Sequence, residues 1–96
     1  MMKGKNNMHN DINRISNKIE NIRDSIYDYN LKAMFNNIDS LIIEISNYVN
    51  IEEMPKEKNN VFNTILENIN ISIQNKDYLL VSDILKFQLK DFIENI

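Results

Sequence analysis

The chain has 96 residues, 43% of them hydrophobic and 26% charged, with a net charge of −3 and a pI near 5.0. This length predicts one domain with one core, and the acidic balance leaves no excess positive charge for a polyanion. Having no cysteine, the chain can form no disulfide framework, thiolate zinc site or cysteine nucleophile, and no apolar run approaches the roughly 18 residues that a membrane helix needs.

Residues 1–9, MMKGKNNMH, show no apolar period and contain Gly4, the only glycine, so they are expected to form a disordered tail and not a signal peptide. Asn10 or Asp11 is the expected N-cap of the first helix. From there Ile12, Ile15, Ile19, Ile22, Ile26 and Tyr29 recur at alternating steps of three and four. That is the seam of a narrow amphipathic helix over about 11–28. A seam this narrow needs a partner, either another helix of the chain or a second copy across an intermolecular coiled coil.

Tyr27-Asp28-Tyr29-Asn30 interrupts the seam with residues suited to a tight turn. Leu31, Met34, Phe35, Ile38, Leu41, Ile42, Ile45, Tyr48 and Val49 then mark a second helix, about 31–49, with a wider apolar face. Residues 50–60, NIEEMPKEKNN, form a polar connector that carries the only proline, Pro55. Proline belongs outside a helix or in its first turn, so the third helix, about 57–74, is expected to begin between Pro55 and Asn60. Its apolar face is Val61, Phe62, Ile65, Leu66, Ile69 and Ile73, with Ile71 off that face.

Asn75-Lys76-Asp77 closes the third helix, and Asp77 is placed to cap a fourth over about 78–95. That helix carries two apolar ridges. Val81, Leu85, Leu89, Phe92, Ile93 and Ile96 make the broad one, and Leu80, Ile84 and Phe87 the smaller one. Two ridges imply either a central helix packed on both sides or a smaller ridge that awaits a partner. An echo links the halves: Asp28-Tyr29 precedes helix two as Asp77-Tyr78 precedes helix four. Aligned on Asp-Tyr, Leu31 meets Leu80, Phe35 meets Ile84 and Ile38 meets Phe87. The expected fold is all-α: a four-helix bundle built from two αα-hairpins, with residues 10–96 as a single helical domain.

The stretch Asn75-Lys76-Asp77-Tyr78-Leu79-Leu80-Val81-Ser82-Asp83-Ile84-Leu85 resembles an Asn-x-Asp-Tyr-x-Leu-x-x-Asp-x-Leu motif. That motif marks the end of a small all-helical domain of unknown function in low-GC Gram-positive bacteria. The richness in Asn and Ile, 18 and 17 residues, agrees with AT-rich codon usage, so the asparagines carry no functional weight. Lys86 and Gln88 stand where that family has an acidic Glu-x-Glu-Leu helix. The resemblance implies a helical fold and brings no activity with it.

Chemistry is scarce. His9 is the only histidine and falls in the expected tail, which excludes a catalytic triad and a Glu-x-x-His di-iron site. A single glycine excludes a phosphate-binding glycine loop. Glu52-Glu53 and Asp77, Asp83 and Asp91 are the available carboxylates, and caps and solvated faces account for them. Lys86 and Lys90 flank Phe87 but are interspersed with acids, which argues against a nucleic-acid strip.

The sequence therefore points to a non-enzymatic, cytoplasmic helical interaction module, adaptor- or chaperone-like, without a cofactor or metal. Its expected partner is another protein, such as a partner helix, and neither a nucleic acid nor a membrane. Export chaperones and adaptor subunits of bacterial motility or secretion systems share this size and helix content, an analogy at the level of fold. The expected binding residues are Leu80, Ile84 and Phe87, rimmed by Lys86 and Lys90, with Leu80 and Ile84 mostly buried and Phe87 partly exposed. The alternative is a structural homodimer that pairs through the Ile seam of the first helix.

Overall fold

A computed structural model describes the backbone of residues 2–49 and 53–95 and the side chains of residues 11–49 and 53–95. The fold is all-α, with no strand among the described residues. Helices α1 (Met2–Tyr27) and α2 (Leu31–Tyr48) form one hairpin. Helix α3 (Lys56–Gln74) forms another with a C-terminal helical run. That run has three consecutive stretches: α4 (Tyr78–Asp83), a π-helical stretch π1 (Ile84–Leu89) and α5 (Lys90–Glu94). The chain divides into two compact units, Met1–Asn50 and Ile51–Ile96, within the polar connector, so each unit is one hairpin.

In the first unit the predicted seam is the core. Ile15, Ile19, Ile22 and Ile26 of α1 are buried, as are Met34, Ile38, Leu41 and Ile45 of α2 and Val49 just after it. β-Branched isoleucine is a middling helix former, so these helices owe their stability to this packing and not to propensity. Lys18 Nζ donates to Ser40 Oγ at 2.8 Å, a polar tie between the helices at the edge of the seam. The wider face expected for α2 is only partly used: Leu31, Phe35 and Ile42 remain exposed.

Helix α1 begins at Met2, so the segment expected as a tail is helical and the expected cap at Asn10 or Asp11 lies inside the helix. Between Met2 and Asp11 the chain has one glycine, Gly4, and no proline to break the helix. Once the seam has nucleated the helix, each added residue costs at most a few tenths of a kcal/mol, up to about 1 for glycine. The side chains of His9 and Asn10, Glu52 and Ile96 lie outside the described residues.

Both hairpins reverse in the same way. Tyr29 and Lys76 adopt left-handed backbone, φ 56° and 57°. The next amide reaches back over the helix end: Asn30 N–H donates to the Ser25 carbonyl and Asp77 N–H to the Ser72 carbonyl, both at 2.9 Å. This is the Schellman closure, which satisfies carbonyls left open at a helix end. The same residues then cap the following helix, Asn30 Oδ1 accepting from Ala33 N–H at 3.1 Å and Asp77 Oδ1 from Leu80 N–H at 3.2 Å. The geometry pairs Asn30 with Asp77, two residues off the Asp-Tyr alignment, so Leu31/Leu80, Phe35/Ile84 and Ile38/Phe87 are not equivalent. Tyr29 is also no part of the seam: the helix has ended and its side chain is 87% exposed.

In the second unit Phe62, Ile65 and Ile69 of α3 pack with Val81, Ile84, Leu85, Leu89, Phe92 and Ile93 of the C-terminal run. Phe62 and Phe92 stack at a centroid distance of 5.6 Å. The π stretch explains how six apolar residues of the run share one side. A π-helix turns about 82° per residue against about 100° in an α-helix. Underwinding over Ile84–Leu89 narrows the arc spanned by Val81, Ile84, Leu85, Leu89, Phe92 and Ile93 from about 180° to about 100°. The expectation of two separate ridges assumed a uniform α-helix.

Two outcomes follow. Ile19→Ala or Ile22→Ala should each cost about 2–4 kcal/mol in chemical denaturation, because both side chains are fully buried. Tyr29→Gly should stabilise the chain by about 0.5–1 kcal/mol in the same measurement, since glycine has no Cβ to strain the left-handed backbone.

Candidate functional site

The second unit contains an open groove of about 600 Å³ between α3 and the C-terminal run. Val61, Ile65, Phe87 and Phe92 supply its apolar surface. Lys58, Asn60 and Thr64 line it from α3, and Gln88, Asp91 and Asn95 from the opposite side. Ile65 and Phe92 are buried and form a floor, while Val61 and Phe87 are 50% and 64% exposed. One end is tied by hydrogen bonds: Lys58 Nζ donates to the Asn95 carbonyl at 3.2 Å, and Asn95 Nδ2 donates to the Asp91 carbonyl at 2.7 Å.

Phe87 owes its position to the π stretch. Underwinding turns it almost directly away from the buried arc, where a uniform α-helix would leave it nearer the core edge. The Lys86 ammonium lies 5.2 Å from the Phe87 ring centroid, a cation–π contact that covers part of the ring. The backbone signature is at Lys90, whose N–H bonds the Leu85 carbonyl five residues back. Such π turns are rare and frequent at functional sites.

Of the five residues expected to bind a partner, Phe87 alone lines the groove. Phe87 is exposed, as expected, and Lys86 sits beside it on the surface. Ile84 is 3% exposed and belongs to the core, because underwinding draws it into the buried arc. Leu80 is 44% exposed where burial was expected; that expectation rested on its match with Leu31, which is itself exposed. Lys90 is half-buried on the adjoining turn, outside the groove. Val61, placed in the core by its helical period, is instead a wall of the groove.

Among the described residues no group of three His, Cys, Asp or Glu is placed to hold a metal ion. Asp77 is engaged as a cap, and Asp91 Oδ1 accepts from Asn95 Nδ2 at 3.1 Å. No helix among the described residues is long and apolar enough to cross a membrane. The groove offers an apolar floor, an aromatic lip and a rim of amides with one cation and one anion. Such a surface takes up an apolar side chain on its floor and hydrogen-bonds the polar groups that surround it.

The signal for this site was present as a spacing. Val81, Leu85, Leu89 and Ile93 recur at steps of four, three times over. In an α-helix each such step drifts by about 40°, so a buried row at that spacing implies underwinding.

Phe87→Ala should cost less than about 1 kcal/mol of stability, whereas Phe92→Ala should cost about 3–5 kcal/mol, as thermal or denaturant unfolding would show. The contrast separates the lip of the groove from its floor.

Comparison with protein-family models, curated proteins and solved structures finds no match to this chain.

Proposed function

We propose that the protein is a non-enzymatic helical interaction module, adaptor- or chaperone-like, that receives a helix of another protein in the groove between α3 and the C-terminal run. The observation that carries this reading is the exposure of Phe87 beside Val61 above a buried apolar floor. An aromatic ring half in water at the edge of a groove is a ready anchor, because aromatic contacts dominate interface energetics. Two flanking helices with a polar rim suit an amphipathic helix that inserts apolar residues at i, i+3, i+4 and i+7. The cysteine-free composition suits a reducing cytoplasm. The alternative, a homodimer through the first helix, would need the Ile seam, and Ile15, Ile19, Ile22 and Ile26 are already buried within the chain.

A photo-crosslinking residue at Val61, in the full chain expressed in its own host, tests the reading. The expected result is a discrete adduct with another protein that disappears when Phe87→Ala is added. An adduct of twice the chain's mass would make the groove a self-association surface. Crosslinking no stronger than from a control position at Asp39 would leave the groove without a partner and overturn the proposal.

A further inference from the structure

We infer that the chain is a tandem repeat of one helical hairpin, offset by 47 positions, and that the apolar groove is a departure of the second copy from the shared plan. The inference is independent of what, if anything, the groove binds. Its first support is the turn. The backbone hydrogen bonds that close one reversal recur in the other at the same offset. Asp28 N–H bonds the Asp24 carbonyl and Asn75 N–H the Ile71 carbonyl, both at 3.0 Å. Tyr29 N–H reaches the Ile26 carbonyl at 3.1 Å, and Lys76 N–H the Ile73 carbonyl at 2.9 Å. Within the preceding helices, Ser25 Oγ donates to the Asn21 carbonyl at 2.9 Å, and Ser72 Oγ to the Asn68 carbonyl at 2.8 Å.

The sequence agrees at that offset over the helix that precedes each turn, where the Asp-Tyr alignment gives only scattered identities. Glu20-Asn21-Ile22-x-x-Ser25-Ile26 recurs as Glu67-Asn68-Ile69-x-x-Ser72-Ile73. Helix bounds follow too: α1 ends at Tyr27 and α3 at Gln74, while α2 starts at Leu31 and α4 at Tyr78. Ser25 and Ser72 are two of the three buried polar residues among those described. In both copies the serine hydroxyl bonds the carbonyl four residues back in its own helix; Ser25 Oγ also accepts from Asn37 Nδ2 of α2 at 3.3 Å.

The π stretch is where the copies part. Up to its second residue, buried Met34 and Ile38 correspond to buried Val81 and Leu85 at 47 positions. From its last residue on, buried Leu41 and Ile45 correspond to buried Leu89 and Ile93 at 48. One extra residue has entered the second copy, and the helix absorbs it by underwinding so that the buried row is kept.

The groove residues are the other difference. At the shared offset Val61, Ile65 and Phe87 stand where the first copy has Arg14, Lys18 and Ser40. Arg14 pairs with Asp11 at 3.4 Å, and Lys18 bonds Ser40 at 2.8 Å. Counted from the later register, Phe87 meets Asp39, which is exposed. The hairpin therefore closes this edge with polar side chains in one copy and leaves it apolar and open in the other. The exposed apolar residues of the groove, Val61 and Phe87, lie outside the plan that the two hairpins share.

A double-mutant cycle in the full chain tests the register. Ile65→Lys alone should lower the melting temperature by well over 5 °C, since it puts a charge at a buried site. Phe87→Ser alone should shift it by less than about 3 °C. Together they rebuild the polar tie of the first copy, so the double variant should melt at least about 4 °C above the additive expectation. Strict additivity would overturn the register. If Ile65→Lys does not fold, an insertion pair decides. One alanine inserted after Ser40 gives α2 the four-residue spacing of the second copy and should leave a cooperative melt. The same insertion after Glu20, which has no counterpart in the second copy, should abolish it. Equal damage from the two insertions would overturn the repeat.

Discussion

Each hairpin depends on a reversal closed by a single left-handed residue. An isolated helix with a three-four apolar seam is marginal in water, because the seam stays wet and propensity alone barely holds it. The reversal changes this by bringing a second seam alongside at once. With Tyr29 and Lys76 in left-handed backbone, the amides of Asn30 and Asp77 reach the carbonyls of Ser25 and Ser72. Their side chains are then free to cap the next helix. In each hairpin one backbone bond and one cap contact thus fix where the second helix starts, and that start fixes which residues face the first helix. The strain of a non-glycine residue at positive φ, about 1–2 kcal/mol, is smaller than the burial it makes available.

The π stretch is a constraint of the same kind, acting on the second unit alone. A buried row at four-residue spacing cannot run straight along an α-helix. The helix either loses part of its core or unwinds, and burying Leu89 and Ile93 outweighs the poorer hydrogen bonding of one π turn. Unwinding moves core residues together and, by the same rotation, swings Phe87 out. The exposed aromatic ring is therefore a consequence of core packing two turns long. It is held in place by residues that never touch a partner, which is how a rigid element presents a binding group accurately.

Surface electrostatics contribute little to either unit. The ion pairs Arg14–Asp11 and Arg23–Glu20 are i, i+3 contacts on one helix surface, worth a few tenths of a kcal/mol each. The tie between Lys18 and Ser40 is different in kind, since it spans two helices and is partly buried. Charged groups among the described residues shape the edges, and the cores are apolar, largely aliphatic with one stacked phenylalanine pair.

Local chemistry and periodicity were enough to place four helical runs, their connector, the cap at Asp77 and the seam Ile15, Ile19, Ile22 and Ile26, because helix period and turn preference are written in neighbouring residues. Phe87 was also legible as the exposed member of its ridge, from the lysines around it. Three things were decided only by tertiary structure. Val61 carries the period of a core residue, yet the opposite helix run leaves an opening there, and no property of α3 alone reports that. Ile84 is pulled inward, and the groove opened, by an underwinding whose driving force is burial several residues away. The pairing of the halves was misread from a two-residue match, Asp-Tyr, while the pairing in space follows backbone geometry: position relative to the left-handed residue, with Asn30 and Asp77 sharing a role and not an identity. Amino-acid type sets the amplitude of each local preference, but which preference prevails is set by the apolar area that the whole hairpin can remove from water.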